Sequence, residues 1–326
     1  MKIVVVGGTG LIGSAVVRGL RRHGHEVVPA SPTTGVDTLT RRGLSEALTG
    51  TSVVVDVSDS PSVEDDIALR FFETSTRHLL DAEAGAGVRH HVALSVVGAD
   101  RLPDLGYFRA KLVQENLVAR SPIPFTLVRA TQFYEFLMRI ADAATDGDAA
   151  RLAPVLVQPI AADDVADVLG RIAVDPAANA VVEIAGPERL RFDSLVWDEL
   201  SARDDPRTVV TDERARLFGA VLSERSLLPG DEAWLAPTRF ADWLLHRRTT
   251  AAPASVPASA DLAGLGRELA AETALGEASR LEDAMREPVE NWRFDPAEAQ
   301  WYEAVLHDLR DAVERGRARP DATAWT

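Results

Sequence analysis

The sequence KIVVVGGTGLIGSAVVRGL, residues 2–20, decides the fold of this 326-residue chain. It begins with an uninterrupted apolar run at residues 3–6, which is typical of a strand buried in a parallel sheet. Three glycines follow directly, and residues 11–23 then carry apolar side chains at helical spacing. A strand, a glycine-rich turn and an amphipathic helix therefore open the chain.

The three glycines of this turn are spaced as Gly7, Gly10 and Gly13. In a dinucleotide site the first permits the tight turn, the second lets the backbone approach the pyrophosphate, and the third lets the helix pack on the strand. The helix N-terminus then offers amide N–H groups to phosphate. The alternative is a sharp turn without a ligand. The predicted cofactor contacts in this turn are Gly7, Thr9, Gly10, Leu11, Ile12 and Gly13.

Strands and helices alternate through the rest of the first half of the chain. Strands are predicted at 26–30, 52–57, 91–97 and 125–129, and helices at 39–48, 67–84 and 107–119. Repeated β-α-β units imply a parallel sheet with helices on both faces. The predicted fold class is α/β, a Rossmann-type doubly wound sheet.

The second half has a less regular pattern. We predict a substrate lobe formed mainly by residues 131–248, which completes a cofactor-binding domain over 1–248. Its predicted helices are 133–144, 162–174, 192–202 and 238–245, and its strands are 155–160, 180–184 and 207–211.

An Ala-, Pro-, Ser- and Thr-rich stretch at 249–259 predicts a linker, and 260–326 predicts a helical C-terminal extension. Three of the chain's six tryptophans, Trp292, Trp301 and Trp325, lie in this extension. This favours packing on the chain's own core or on a second subunit over a solvated arm. A homodimer formed through the C-terminal helices is therefore predicted.

Composition excludes several classes of partner and site. A formal net charge of −15 argues against nucleic acid and anionic membrane as partners. The absence of cysteine excludes disulfides, thiolate metal ligands and cysteine nucleophiles. No apolar run is long enough to span a bilayer, and no leader pattern is evident, so a cytoplasmic protein is predicted. No His and carboxylate cluster has ligand spacing, so no metal site is predicted.

The segment after the second predicted strand bears on the choice of cofactor. A carboxylate there favours NAD, and a basic residue favours NADP. Residues 29–34, Pro-Ala-Ser-Pro-Thr-Thr, contain neither, but their three hydroxyls could donate to a phosphate. NADP(H) is therefore predicted over NAD(H), with Ser31 as a contact; the alternative is an ordinary loop. Val57 and Ser58, after the third strand, are further predicted contacts, and Asp59 is interpreted as bonded within its loop.

A tyrosine and a lysine lie four residues apart at the start of a predicted helix. Tyr107 and Lys111 therefore project from one helical face, and Ser95 ends the preceding strand. Only two of the 35 basic residues are lysine, which makes Lys111 more informative than usual. The alternative is a helix-start aromatic and a solvated lysine.

With these residues the chain resembles the short-chain dehydrogenase/reductase superfamily, in particular its atypical NmrA-like, NAD(P)-binding branch. The resemblance rests on GGTGLIG at 7–13, on Ser95 before YFRAK at 107–111, and on the segment 114–133. It covers residues 1–248. It implies that Tyr107 is the general acid, that Lys111 tunes this tyrosine and holds the nicotinamide ribose, and that Ser95 binds the substrate carbonyl.

The resemblance implies hydride transfer between the nicotinamide and a small carbonyl or quinone-like substrate. Two alternatives remain open: a non-catalytic NADP-sensing interaction protein, and an isomerase or dehydratase that uses the same Tyr107 and Lys111 pair. NmrA-like proteins include regulators and members without the full catalytic set, so the residues alone do not separate these possibilities.

Residues after the fifth strand are predicted to cover the nicotinamide. Thr131, Gln132, Phe133 and Phe136 are the predicted substrate contacts. Together with Tyr134 they suggest an aromatic-lined pocket for a flat substrate, with ordinary helix core as the alternative. Elsewhere, His90 and His91 are interpreted as structural, and Asp163 and Asp164 as capping a helix start.

Overall fold

Seven parallel strands form the central sheet of the computed structural model, which describes residues 1–102, 105–217 and 220–250. The strands, in chain order, are β1 (Lys2–Val6), β2 (Glu26–Ala30), β3 (Val53–Asp56), β4 (His90–Val96), β5 (Phe125–Ala130), β6 (Thr145–Asp146), β7 (Ala149–Leu152), β8 (Leu156–Val157), β9 (Ala180–Ala185), β10 (Leu190–Arg191), β11 (Thr208–Thr211), β12 (Arg216–Leu217), β13 (Ala220–Val221) and β14 (Trp234–Leu235). The helices are α1 (Leu11–Arg22), α2 (Leu44–Leu48), α3 (Asp65–Ala86), α4 (Gly106–Arg120), α5 (Leu137–Ala143), α6 (Ala162–Val174), α7 (Phe192–Ala202) and α8 (Phe240–Thr250). Two short 3-10 helices cover Pro32–Thr34 and Tyr134–Phe136.

The order of the central sheet creates a crevice at its carboxyl edge. The strands lie in the order β14-β9-β5-β4-β3-β1-β2, so the chain leaves β1 toward β2 on one side and then returns to β3 on the other. Ligands of open α/β sheets bind where the direction of the crossovers reverses in this way. The loops that follow β1 and β3 therefore flank the expected cofactor site.

Helices cover both faces of the sheet. On one face α1 and α6 pack through residues such as Val16 and Leu169, and on the other α2, α3 and α4 pack through Leu48, Leu79 and Val118. The predicted α/β doubly wound sheet is confirmed.

A smaller lobe is formed by α5, α7 and α8 with three short sheets, β10-β8, β11-β7-β6 and β12-β13. Its core, built around Leu137, Phe192 and Leu195, is separate from the two cores that flank the central sheet. Not all of 131–248 belongs to this lobe, however. Strands β9 and β14 extend the central sheet, because the β-branched run at 180–185 pairs in parallel with β5.

Several predicted elements are shorter or divided in the structure. The helix predicted at 39–48 is confined to α2, because Arg41 and Gly43 adopt positive φ angles of 63° and 67° that end any helix before Leu44. The strand predicted at 155–160 is reduced to β8, which pairs with the two-residue β10 and forms a single bridge from Val157 to Leu227. The helix predicted at 133–144 is a 3-10 turn followed by α5.

The end of the domain predicted over residues 1–248 also differs from prediction. The helix predicted to end at Leu245 continues as α8 to Thr250, past the predicted start of the linker. Arg247 binds the buried Glu199 of α7, which anchors this last part of the helix. The rest of the predicted linker and the extension at 260–326, with its proposed part in a homodimer, lie outside the described residues. None of the described helices is both long and apolar enough to cross a membrane.

The start of α6 also differs from prediction, because neither Asp163 nor Asp164 is its N-cap residue. Its N-cap residue is Ala161, with no side-chain hydrogen bond, although Asp163 and Asp164 do place negative charge in the first turn. Asp164 instead accepts hydrogen bonds from the amide and hydroxyl of Thr238, which tie the start of α6 to the segment before α8.

Candidate functional site

The glycine-rich turn is shaped by close approaches of backbone to backbone. Gly7 has a φ of 76°, and a Cβ there would lie 2.7 Å from the Val57 carbonyl oxygen. A Cβ at Gly13 would lie 2.1 Å from the Gly7 oxygen, and the Gly10 amide donates to the same oxygen at 3.0 Å. The turn therefore excludes side chains at the positions where helix and strand meet.

The first turn of α1 is suited to an anion. The first N–H groups of a helix lack acceptors within it. The N-cap Gly10 supplies no side chain to them, and the first turn contains no acidic residue. With the crevice beside it and no side chain to fill the turn, this backbone fits the pyrophosphate of a dinucleotide. Gly7, Thr9, Gly10, Leu11, Ile12 and Gly13 all belong to this turn.

The loop after β3 lies directly against the turn. A Cβ on Gly7 would meet the Val57 carbonyl and, at 2.9 Å, the Ser58 nitrogen. The buried Asp56 shapes this loop, because its Oδ1 accepts hydrogen bonds from the Ser58 amide at 3.0 Å and the Ser58 hydroxyl at 2.6 Å. The structure thus brings Val57 and Ser58 together with the glycines, as the predicted site requires.

The hydroxyl groups after β2 are engaged in the local turn. Ser31 is buried, and its Oγ lies 2.9 Å from the Thr33 Oγ1. The Thr34 Oγ1 accepts a hydrogen bond from the Ser31 amide, which completes a capping box. These contacts agree with the interpretation of this segment as an ordinary loop, so its hydroxyls would have to exchange partners to bind a phosphate.

One face of α4 carries Tyr107 and Lys111, as predicted. Both contact the fully buried Phe72 of α3. The Tyr107 ring meets the Phe72 ring edge-on with centroids 5.8 Å apart, and the Lys111 Nζ lies 4.2 Å from the Phe72 centroid. Phe72 therefore supports both side chains and fixes their positions relative to each other.

The Tyr107 hydroxyl donates to the Asp59 carboxylate at 2.8 Å. Burial raises the pKa of Tyr107 well above its ordinary value, and the charge of Asp59 and this hydrogen bond raise it further. Asp59 also accepts a hydrogen bond from the Ser60 amide, so it is bonded within its loop as predicted. Its contact with Tyr107 was not predicted. The pKa of Tyr107 is thus shifted away from neutrality, opposite to the tuning by Lys111 that the resemblance implies.

Lys111 is buried and joins a hydrogen-bonded chain that leads to the loop after β3. Its Nζ donates to Gln114 Oε1, and Gln114 Nε2 donates to Asp56 Oδ2 at 2.9 Å. Burial lowers the pKa of Lys111, against the opposing charges of Asp56, Asp59 and Glu115. Through Gln114 and Asp56, the ammonium group is connected to the loop that contacts the glycine-rich turn.

Ser95 is placed differently from its predicted role. It is 5% exposed, and its hydroxyl donates to Glu115 Oε1 at 2.6 Å. The same carboxylate forms a buried ion pair with Arg129 at 2.7 Å, and Arg129 also binds Asp100. Hydrogen bonds from this guanidinium to Glu115 raise the pKa of Arg129. Ser95 thus joins a buried polar network around Glu115, which lies about two turns after Tyr107 on the same face of α4.

Among the predicted substrate residues, Thr131 and Gln132 have contrasting surroundings. Thr131 is 1% exposed, and its hydroxyl donates to the Gln158 carbonyl at 2.7 Å. Both amide atoms of Gln132 are shielded from solvent and have no hydrogen-bond partner in the described part of the chain. Because an unsatisfied buried amide is costly, Gln132 is the better candidate for contact with a ligand.

The aromatic residues after β5 divide between the site and the core. Phe133 and Phe136 remain partly exposed, with ring centroids 5.3 Å apart. Tyr134 points into the lobe core, where it packs on Phe240 and Trp243 and its hydroxyl donates to the Thr238 carbonyl. Tyr134 is therefore not part of the predicted aromatic pocket, because its ring is buried in the core of the lobe.

The structure adds residues that sequence reasoning missed. Asp56, Gln114 and Glu115 hold the predicted site residues in place, and Asp59 binds the Tyr107 hydroxyl. Helical spacing was the available signal for two of them, since Gln114 and Glu115 lie about two turns after Tyr107 on the same face. His90 and His91 have buried structural contacts with Thr126 and Glu83, respectively.

Comparisons with known proteins agree with this geometry. A sequence profile of the NAD dependent epimerase/dehydratase family matches residues 3–73, which include the glycine-rich turn. Divinyl chlorophyllide a 8-vinyl-reductase, a chloroplastic protein of Oryza sativa subsp. indica, is 29% identical over 227 residues, which cover 57% of this chain and 54% of that protein. The chain therefore spans about half the length of this curated relative.

Solved structures show a likeness of fold. MoeE5 in complex with UDP-glucose and NAD has a TM-score of 0.60 at 21% identity, over 77% of this chain and 100% of its own. The NADPH-dependent quinone oxidoreductase of Escherichia coli, complexed with NADPH, has a TM-score of 0.57 at 19% identity, over 76% of this chain and 99% of its own.

The family profile and the likeness of fold agree with the predicted resemblance to the short-chain dehydrogenase/reductase superfamily. The two solved neighbours hold NAD and NADPH, respectively. The NmrA-like branch, the preference for NADP(H) and the individual site residues stay predictions.

Proposed function

We propose that this protein is a short-chain dehydrogenase/reductase that uses NAD(P)H to reduce a small carbonyl or quinone-like substrate. One observation carries the proposal: Tyr107 and the buried Lys111 share a face of α4 and a supporting ring, Phe72, and Lys111 is linked through Gln114 and Asp56 to the loop beside the glycine-rich turn. A proton donor and an ammonium group are thereby joined to a dinucleotide-binding backbone.

Each residue has a definite part in this reaction. When bound, the nicotinamide supplies the hydride. Tyr107 gives its hydroxyl proton to the carbonyl oxygen. Because an efficient general acid needs a pKa near the working pH, this role requires that the departure of Asp59 and the charge of Lys111 lower the raised pKa of Tyr107. Lys111 donates hydrogen bonds to the nicotinamide ribose, in exchange for or beside Gln114. Ser95 remains the proposed second donor to the carbonyl oxygen, a role that requires its hydroxyl to leave Glu115.

The contact between Tyr107 and Asp59 defines what substrate binding must change. Asp59 Oδ1 occupies the hydrogen-bonding direction that the substrate oxygen needs. Asp59 lies in the exposed loop after β3, whereas Tyr107 is held by Phe72 and by its helix. On substrate binding, the substrate oxygen therefore replaces Asp59 as the acceptor of the hydrogen bond from Tyr107. Gln132 then serves as a further polar contact for the substrate, beside Phe133 and Phe136.

NADP(H) is the proposed cofactor in preference to NAD(H). The one carboxylate in the loop after β2 is Asp37, and its Oδ1 accepts hydrogen bonds from the amides of Leu39 and Thr40. The Asp37 amide donates a hydrogen bond to the Arg42 carbonyl, so the loop folds back on itself and holds Arg42 next to Asp37. An exposed guanidinium in this loop suits the additional phosphate of NADP.

The substitution Arg42→Gln tests this preference. We expect it to weaken NADPH binding and leave NADH binding unchanged in fluorescence titrations. Equal losses of affinity for the two cofactors would contradict the role of Arg42.

The substitution Tyr107→Phe tests the reductase proposal. It removes the proton donor but keeps the ring contact with Phe72. We expect turnover to fall by about 10²–10⁴-fold, with an unchanged dissociation constant for NADPH. A screen of NADPH oxidation against quinones, ketones and aldehydes supplies the substrate for this comparison. Undiminished turnover in the variant would refute the assigned role of Tyr107.

A non-catalytic, NADP-sensing role is the second candidate. Its specific support is that the Tyr107 hydroxyl and the Lys111 ammonium group are both bound by protein partners, Asp59 and Gln114. In that case NADPH binds but no substrate in the screen is reduced, and Tyr107→Phe changes nothing. An epimerase or dehydratase, as the matched family name suggests, would instead convert substrate without net consumption of NADPH.

A further inference from the structure

An exposed arginine lies beside the aromatic pair at the proposed substrate end. Arg139 is in the first turn of α5, and its guanidinium carbon lies 5.6 Å from the centroid of the Phe136 ring. Phe136 in turn packs against Phe133. A guanidinium that lies over an aromatic face is fixed in orientation while its N–H groups at the edge stay available to an acceptor.

The charge of Arg139 also acts on the proposed proton donor. Burial and Asp59 raise the pKa of Tyr107, and the positive charge of Arg139 opposes this shift. Tyr107 of α4 and Met138, the neighbour of Arg139 in α5, pack against the same core of the lobe.

Arg139 has no ion-pair partner in the part of the chain that the structure describes. It shares this with other exposed arginines such as Arg120, but Arg139 is the one that lies over the Phe136 ring. An unpaired cation beside two aromatic rings and a proton donor has the chemistry needed to bind a flat, anionic molecule.

We propose that Arg139 binds an anionic oxygen group of the substrate, a carboxylate or a phosphate, while Phe133 and Phe136 contact its flat body. The proposal rests on the proposed function and narrows it: the substrate is an acidic carbonyl or quinone-like compound. Arg139 is then a residue that determines specificity, since it binds a group of the substrate other than the oxygen that Tyr107 protonates.

Binding of three matched probes to the full chain tests this proposal. The probes are 4-formylbenzoate, its uncharged methyl ester and 4-formylphenyl phosphate, and NADP⁺ is present so that no turnover occurs. We expect at least one anion to bind about tenfold or more tightly than the ester, as a charge-assisted hydrogen bond provides. The preferred anion identifies the group as carboxylate or phosphate. Isothermal titration calorimetry measures the three dissociation constants.

The control is a second exposed arginine, Arg120, at the far end of α4. It lies 13 residues after Tyr107 in that helix, about 20 Å away. We expect Arg139→Gln to abolish the preference for the anion and Arg120→Gln, which removes the same charge, to preserve it. Equal binding of acid and ester, no binding of any probe, a preference that persists in Arg139→Gln, or equal loss in both variants would overturn the proposal.

Turnover assays separate this proposal from the reductase proposal. If the anion preference depends on Arg139 but no carbonyl or quinone is reduced, the anion site stands and the reductase proposal fails. If NADPH reduces acidic and neutral substrates with equal kcat/KM, and Arg139→Gln leaves both values unchanged, the reductase proposal stands and the role of Arg139 fails.

Discussion

The glycine-rich turn and the Tyr107 face of α4 form two sides of one proposed site, but they are built in different ways. The turn consists of backbone: its glycines allow helix and strand to touch, and no side chain caps the helix. The face of α4 consists of polar side chains held by hydrogen bonds, some from α4 itself and some from the neighbouring loop and strand. Tyr107 binds Asp59, Lys111 binds Gln114, and Ser95 binds Glu115.

This difference indicates which substitutions each side of the site tolerates. The glycine-rich turn should lose its shape when a side chain is added to it. The face of α4 should instead be destabilised when one member of a pair is removed and its buried partner is left without a hydrogen bond. Four substitutions, taken from the largest expected effect to the smallest, examine this contrast.

Glu115→Ala has the largest expected effect, since it leaves the buried Arg129 with only the more exposed Asp100. Breaking a buried ion pair costs about 3–5 kcal/mol of the free energy of unfolding. Denaturant unfolding measures this loss. The control is Asp81→Asn, which breaks the Arg41–Asp81 pair, with side chains 51% and 65% exposed, at a cost of about 0–1 kcal/mol. Equal losses of unfolding free energy in the two variants would show that the buried network stabilises the protein no more than an exposed ion pair does.

Gly13→Ala tests the backbone side of the contrast. The added Cβ would lie 2.1 Å from the Gly7 oxygen, so the turn must shift, and we expect the affinity for NADPH to fall about 100-fold or more. Gly19→Ala is the control in the same helix, because a Cβ there meets nothing within 4 Å. It should stabilise the protein by about 0.5–1 kcal/mol. An unaltered NADPH affinity in Gly13→Ala would show that the turn does not shape the site.

Ser95→Ala sharpens the contrast within α4, because it separates the polar network from the reacting groups. Loss of the hydrogen bond to Glu115 should cost about 1–3 kcal/mol of the free energy of unfolding. Turnover should fall less than in Tyr107→Phe, since Ser95 is proposed only as the second donor to the carbonyl oxygen and its hydroxyl must first leave Glu115. Unfolding and steady-state assays of both variants give the comparison. Unchanged turnover in Ser95→Ala would refute the proposed contact of Ser95 with the substrate.

Asp59→Asn has the smallest expected effect, a change in pH dependence. The Asp59 carboxylate raises the pKa of both Tyr107 and Lys111, so its neutralisation lowers both. The alkaline limb of the kcat/KM profile for reduction should therefore move to lower pH. Asp66→Asn, in the first turn of α3, is the control for the same loss of charge. An alkaline limb that stays in place or moves upward would contradict the electrostatic role of Asp59.

Sequence alone determined the features that depend on neighbouring residues. The apolar runs, the spacing of Gly7, Gly10 and Gly13, and the four-residue spacing of Tyr107 and Lys111 are local patterns. They predicted the sheet, the turn and the shared helical face, because strand and helix periodicity and the steric demands of a tight turn act over a few residues. Arg41 shows the limit of such patterns: helical spacing continued through it, but its backbone turns to positive φ.

Tertiary structure alone decided which polar groups meet. Asp56 and Gln114 are 58 residues apart, Asp59 and Tyr107 are 48 apart, and neither pair has a local signal. Burial supplies the physical reason, because a charged or polar side chain removed from water must find a partner, and the fold determines which partner is near. The glycine-rich turn could therefore be predicted from its sequence, whereas the contact of Tyr107 with Asp59 and the link from Gln114 to Asp56 could not.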